Sequence, residues 1–201
     1  MEVKWPKRSH RDVDLYFDGY EKQEQIDPLS GRKKTRYVYH GDYSIFSLTE
    51  AQWRHFRIMS AVRVAAATAC FVAAHLLGPK GTVLPYIGLP ALVSIIPLCY
   101  LWMGLIALVR TKAPKLTVRE FSFGLERMDN VLWMLLALWC VAAVGETVYL
   151  IAASLYTAAE LMAAALELAA FALAIVQQIK QKAVLASCIR RAEPVKKNKE
   201  Q

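Results

Sequence analysis

Four ionisable side chains stand inside otherwise apolar stretches of this 201-residue chain. Glu146 and Glu167 lie in two successive apolar runs, and Arg63 and His75 lie together in an earlier one. Charge is costly in hydrocarbon, so such groups are retained where they pair, titrate or hold a ligand. Two carboxylates in one apolar layer cannot both stay ionised; they would share a proton, bind a cation or recruit a base. His75 is the base nearest to such a layer, and Arg63 would reach toward Glu167 from below. The same four residues also read as a buried polar knot that fixes the order of helices in a bundle. Arg63 has a plainer role open to it, its long side chain snorkelling to the nearer boundary.

No other chemistry competes with this cluster. The sequence contains no phosphate-binding glycine loop, dinucleotide fingerprint, zinc-protease helix or nucleophile elbow. Cys70, Cys99, Cys140 and Cys188 are far apart and read as reduced packing residues, and His10, His40, His55 and His75 lack ligand spacing. The sequence therefore gives no cofactor, no metal site and no catalytic cluster, and an enzyme is not expected. The N-terminal 57 residues mix eleven Lys or Arg with nine Asp or Glu and show no cleavable signal peptide.

The elements that must position the four residues follow from composition. Hydrophobic residues make up 56% of the chain and charged ones 21%, a balance too apolar for most soluble proteins of this size. A membrane-crossing helix needs about 20 mainly apolar residues, and four segments qualify: 58–78, 83–109, 131–153 and 158–179. Backbone in lipid must satisfy its own polar groups, so each is expected to be helical. The last two cannot be one helix, which would be about 74 Å long against a hydrocarbon core of about 30 Å. Thr157 and Glu160 form the T-x-x-E pattern in which each side chain satisfies the other's free N–H, which places a helix start at Ala158. Ser47 with Glu50 and Thr117 with Glu120 repeat the pattern ahead of the first and third spans. Counted from the turn at the outer end, Glu146 and Glu167 lie roughly 10 Å and 14 Å deep by the helix rise, in one layer of two antiparallel neighbours.

Cations set the orientation. Lys and Arg are retained on the cytoplasmic side. The N-terminal region holds eleven, the 110–130 connection five and the chain from Lys180 onward seven, whereas the two outer connections share one, Lys80. Both termini and the middle connection are therefore expected in the cytoplasm. Topology accounts for the net charge of +8, and nucleic-acid binding is not expected. Trp53 and Trp133 fall near the inner interface and Tyr86, Tyr149 and Tyr156 near the outer one. Ala61, Ala65, Ala69 and Ala73, and Ala159, Ala163, Ala170 and Ala174, offer small-residue faces for close helix packing. Pro85, Pro90 and Pro97 imply bends in the second span.

The predicted fold is an all-α, four-transmembrane-helix bundle with a small N-terminal cytoplasmic β-hairpin or meander and an interfacial amphipathic helix between spans two and three. Residues 1–46 form the cytoplasmic N-terminal region, 47–182 the bundle and 183–201 a basic tail, disordered after Ala192. Strand candidates are Tyr20–Ile26, Lys33–Tyr39 and Tyr43–Phe46, cut by turn signals at 27–31 and 40–42. Leu48, Trp53 and Phe56 would face the membrane surface. Val118, Phe121, Leu125 and Met128 recur at helical spacing opposite Arg119, Glu120 and Arg127, a pattern for a helix lying flat on the inner face.

Two functional classes remain. One is a multi-pass protein of the cytoplasmic membrane, of bacterial type, serving as an accessory or scaffolding subunit through contact with a membrane protein partner or with copies of itself. The other is a small oligomeric ion or solute permeation unit built on Glu146 and Glu167. A membrane enzyme acting on lipid is a weaker third, because no catalytic cluster stands at an interface.

Overall fold

The computed structural model describes residues 20–26, 33–39, 41, 43–77, 84–153 and 157–191. The expected turn at 27–31, the loop around Lys80 and the tail after Ala192 lie outside these residues. In order the elements are β1 (Tyr20–Ile26), β2 (Lys33–Tyr39), β3 (Tyr43–Phe46), α1 (Glu50–Leu76), α2 (Pro85–Val93), α3 (Ile95–Arg110), β4 (Lys115–Thr117), α4 (Val118–Phe121), a π-helical segment (Ser122–Glu126), α5 (Arg127–Ala153), α6 (Ala158–Ala186) and β5 (Cys188–Arg191). The chain is mostly helical. Four helical stretches are long and apolar enough to cross a membrane: Glu50–Leu76, Pro85–Arg110, Val118–Ala152 and Ala158–Ala186.

All three strand candidates form, with a different pairing. β1 and β2 make an antiparallel ribbon, Tyr20 opposite Tyr39 and Ile26 opposite Lys33. β3 does not extend that ribbon into a meander. It is the central strand of a second sheet, ordered β4-β3-β5, antiparallel to both neighbours. Segments before the first long helix, after the second and after the fourth are thus tied together. Phe46 N donates to Pro114 O at 3.0 Å and Ser47 N to Ser187 O at 3.2 Å, which extends the ties past the sheet.

The bond from Ser47 into the sheet also moves the first helix start. Thr49, not Ser47, caps α1: its Oγ1 accepts from Gln52 N at 3.2 Å, and Gln52 Oε1 accepts from Thr49 N at 3.0 Å. The other two predicted boxes form as expected, Thr117 with Glu120 and Thr157 with Glu160.

Trp53 does not present its ring to the surroundings. It is fully buried, stacked on Phe46 with centroids 5.1 Å apart, and Phe56 packs beside it. These rings join the sheet to the bundle, which is why they face inward rather than toward a membrane surface. Nor does the 118–128 segment lie flat as a separate helix. It runs through α4 and the π-helical segment straight into α5, with Leu125 and Met128 fully buried against α3. Of the apolar stripe, Leu125 and Met128 belong to the core, while Val118 and Phe121 are half-buried.

The second span breaks where its prolines require. Pro97 has no N–H to offer the turn before it, so α2 and α3 meet at Ser94, which is fully buried; its Oγ donates to Ala91 O at 2.7 Å. The far end of α3 is closed by Arg57 of α1, whose Nη1 donates to Val109 O at 2.8 Å and also to Thr111 O. A cation suits the carbonyl end of a helix. On α1 the alanine row does not face the core throughout: Ala65 and Ala69 are exposed, while Val64, Ala67, Phe71 and Ala74 are buried. On α6 the expected alanines Ala163, Ala170 and Ala174 are buried and Ala159 is exposed.

Trp53→Ala is expected to destabilise the chain by about 3–5 kcal/mol in thermal melts of the detergent-solubilised protein, the usual cost of removing a large buried ring. Trp133→Ala, at a ring 57% exposed, should change stability by no more than about 0.5 kcal/mol. Equal losses in the two variants would contradict this packing.

Candidate functional site

The buried face of α6 runs Glu160, Ala163, Glu167, Ala170, Ala174, Gln177, Gln181, Val184. These residues step by three and four, the seam spacing of a tightly packed helix. Alanines let the neighbouring backbones approach, and the polar members meet partners from other helices. Polar groups gather at two levels of the seam, an inner one toward the sheet and an outer one away from it, with apolar packing between them.

At the outer level, His75 in the last turn of α1 approaches Glu167, with Nε2 3.8 Å from Oε1. The other ring nitrogen, Nδ1, lies 2.9 Å from Phe71 O one turn back, which fixes the ring. Phe71 stacks on Trp139 of α5 at 5.0 Å. A void of about 10 Å³, bounded by Phe71, Trp139, Ala142 and Glu167, adjoins the carboxylate, room for about one water molecule. Glu146 on α5 is 1% exposed, and neither of its carboxylate oxygens has a hydrogen-bond partner among the described residues. It lies within electrostatic reach of Glu167, Glu160 and His75. Next to it, Gly145 makes room for α2: a Cβ there would stand 2.9 Å from Ile87 Cγ1. Glu160 is buried as well, its Oε2 accepting from Thr157 N at 3.0 Å.

Arg63 does not join this cluster. Its Nη1 donates to Gln177 Oε1 at 3.2 Å, and Gln177 lies ten residues below Glu167, roughly 15 Å along the helix, too far for one side chain to bridge. Gln177 Nε2 donates to Ser60 Oγ at 3.0 Å, and Gln181 Nε2 to Leu125 O at 2.8 Å. That carbonyl belongs to the π-helical segment. Beside this network, Asp129 accepts from Gln178 Nε2 at 2.8 Å and from Lys182 Nζ at 2.7 Å. The inner level therefore ties α1, α5, α6 and the π-helical segment together.

Of the four residues singled out in the sequence, the structure brings Glu146, Glu167 and His75 to one region and leaves Arg63 in the other. Ser60, Gln177, Gln178 and Gln181 were missed because they are uncharged, and Asp129 because it stands just before the expected third span. Continuing the Ala163, Ala170, Ala174 stripe by alternating steps of three and four would have reached Gln177 and Gln181. Chemically, the outer cluster offers buried carboxylates and an imidazole able to exchange a proton. Among the described residues, no group of three or more His, Cys, Asp or Glu side chains is arranged to hold a metal ion.

Comparison with protein-family models, with curated proteins and with solved structures gives no match for this chain.

Glu146→Gln, which keeps the side chain's shape without its charge, is expected to melt at the same temperature as the parent or to gain up to about 1 kcal/mol. Gln177→Leu should lose about 1–3 kcal/mol, because Ser60 and Arg63 are left without their partner. Melting curves in detergent measure both. A loss in Glu146→Gln as large as that in Gln177→Leu would contradict an unpartnered carboxylate.

Proposed function

We propose that the chain is a four-span protein of the cytoplasmic membrane, with both ends and the connection after α3 in the cytoplasm, working as an accessory or scaffolding subunit through protein–protein contact. One observation carries the topology. The β4-β3-β5 sheet draws on the segments before the first long helix, after the second and after the fourth, and those three can meet only on one side of a bundle crossed four times. The cation distribution selects the same side independently, since 23 of the 25 Lys and Arg fall on it by sequence.

The subunit role is supported by the β1–β2 ribbon. A lone two-stranded ribbon is marginal in water. Among the described residues, neither strand packs extensively on any element but the other. A described tie to the body is local: Tyr43 Oη donates to Tyr39 O at 3.4 Å, and the two rings meet edge to face at 5.0 Å. Such a ribbon suits a partner that supplies further strands or a packing surface. Exposed alanines and large apolar side chains along the helices leave room for contact with a second membrane protein or another copy. A permeation unit is the second reading, favoured by one feature, the unpartnered carboxylate of Glu146.

Purification in mild detergent distinguishes the two. The full chain is expected to retain a stoichiometric membrane partner and a variant lacking residues 20–39 to lose it. A full chain recovered alone, conducting ions in vesicles and silenced by Glu146→Gln, would overturn the subunit reading in favour of the second.

A further inference from the structure

Near the end of the bundle that carries the sheet, α1 and α6 diverge enough to leave a groove of about 540 Å³. Phe56, Met59 and Val184 give it an apolar floor, and His55, Arg63 and Lys180 supply its basic groups. No acidic residue lines it. Among the described residues no carboxylate pairs with any of the three, and the one hydrogen bond of Arg63 goes to the neutral Gln177. Among the described residues, the positive charge of half-buried Arg63 and exposed Lys180 therefore stands beside apolar side chains without a counter-charge.

We propose that this groove binds one anionic glycerophospholipid of the inner leaflet. Such a lipid matches the site in two respects. Its phosphate diester, and any further headgroup charge, would meet Lys180, His55 and the downward-reaching guanidinium of Arg63; cations near the surface attract anionic lipid. Its acyl chains need an apolar path leading deeper into the bundle, and both helices continue one. Val62 is three residues beyond Met59 on α1 and 53% exposed, and Val176 is four residues before Lys180 on α6 and 42% exposed. Val176 extends the α6 side by one helical turn past Lys180, and Val62 carries the α1 side from Met59 up to the level of Arg63. A free phosphate would satisfy the charge and leave this path unused. A bound lipid would also bridge α1 and α6 beside the Ser60–Gln177 contact.

The site rests on the membrane reading above, and the test separates the two. The full chain, extracted from membranes in mild detergent, is examined by native mass spectrometry with added phosphatidylglycerol, phosphatidylcholine of the same chains, or glycerol phosphate. One phosphatidylglycerol per chain should survive activation that strips phosphatidylcholine. Combined Arg63→Gln and Lys180→Gln should weaken retention about thirtyfold, whereas Arg63→Lys with Lys180→Arg, which keeps both charges, should stay within about threefold. If the charge-removing variant fails to fold, the charge-keeping variant and the preference of the parent still decide. Equal retention of both lipids, unchanged retention in the folded charge-removing variant, displacement by glycerol phosphate at the lipid's own concentration, or a groove filled by a second copy of the chain would each overturn the site. A chain that stays in the aqueous fraction without detergent would instead defeat the membrane reading.

Discussion

Hydrogen bonds between buried polar groups decide which helices of this bundle meet, because a polar group buried without a partner costs free energy. Apolar side chains are abundant on every helix, and many of them point outward, so hydrophobic patterning alone cannot select which helix packs on which. Hydrogen bonds across the bundle supply the selection. Gln177 joins α6 to α1 through Ser60, Gln181 joins it to the π-helical segment through Leu125 O, and Arg57 of α1 closes the end of α3. Where the backbone departs from a regular helix, at Ser94 and at Ser122–Glu126, a side chain is found serving the altered turn. Irregular backbone among apolar side chains is tolerated only with such service.

The end of the bundle that carries the sheet forms one unit with it for the same reason. β3 has its ladder completed by β4 and β5, and the Phe46–Trp53 stack carries that order into the first turn of α1. The outer end is organised differently. Glu146, Glu160, Glu167 and His75 are brought near one another, yet only Glu160 makes cap hydrogen bonds, and Glu146 makes none among the described residues. The level near the sheet is tied by several hydrogen bonds between helices, with Gln178 Oε1 left without a partner among the described residues, whereas at the other level both carboxylate oxygens of Glu146 go without one.

Much of this was legible in the sequence. Span positions follow from run length, and the three strands follow from residue type and turn signals, both of which are local properties. The Thr117 and Thr157 caps are equally local. Pairing of β3 was not legible, because its partners Lys115–Thr117 and Cys188–Arg191 lie far along the chain and are too short to signal strands. The Val118, Phe121, Leu125, Met128 stripe was visible, but an amphipathic pattern does not say whether its apolar face meets lipid or protein. From the sequence Arg63 is expected to reach toward Glu167 from below, whereas antiparallel packing of α1 and α6 brings its guanidinium to Gln177. Uncharged Gln and Ser carry no alarm in an apolar run, so the network that fixes the bundle was the hardest part to see.

Accessibility of the segment after α3 tests the central claim most directly. With the four native cysteines replaced, Lys112→Cys should resist a membrane-impermeant thiol reagent in sealed cells and react once they are permeabilised, while Lys80→Cys should react in both. Labelling of Lys112→Cys from outside sealed cells would contradict four crossings with both ends in the cytoplasm.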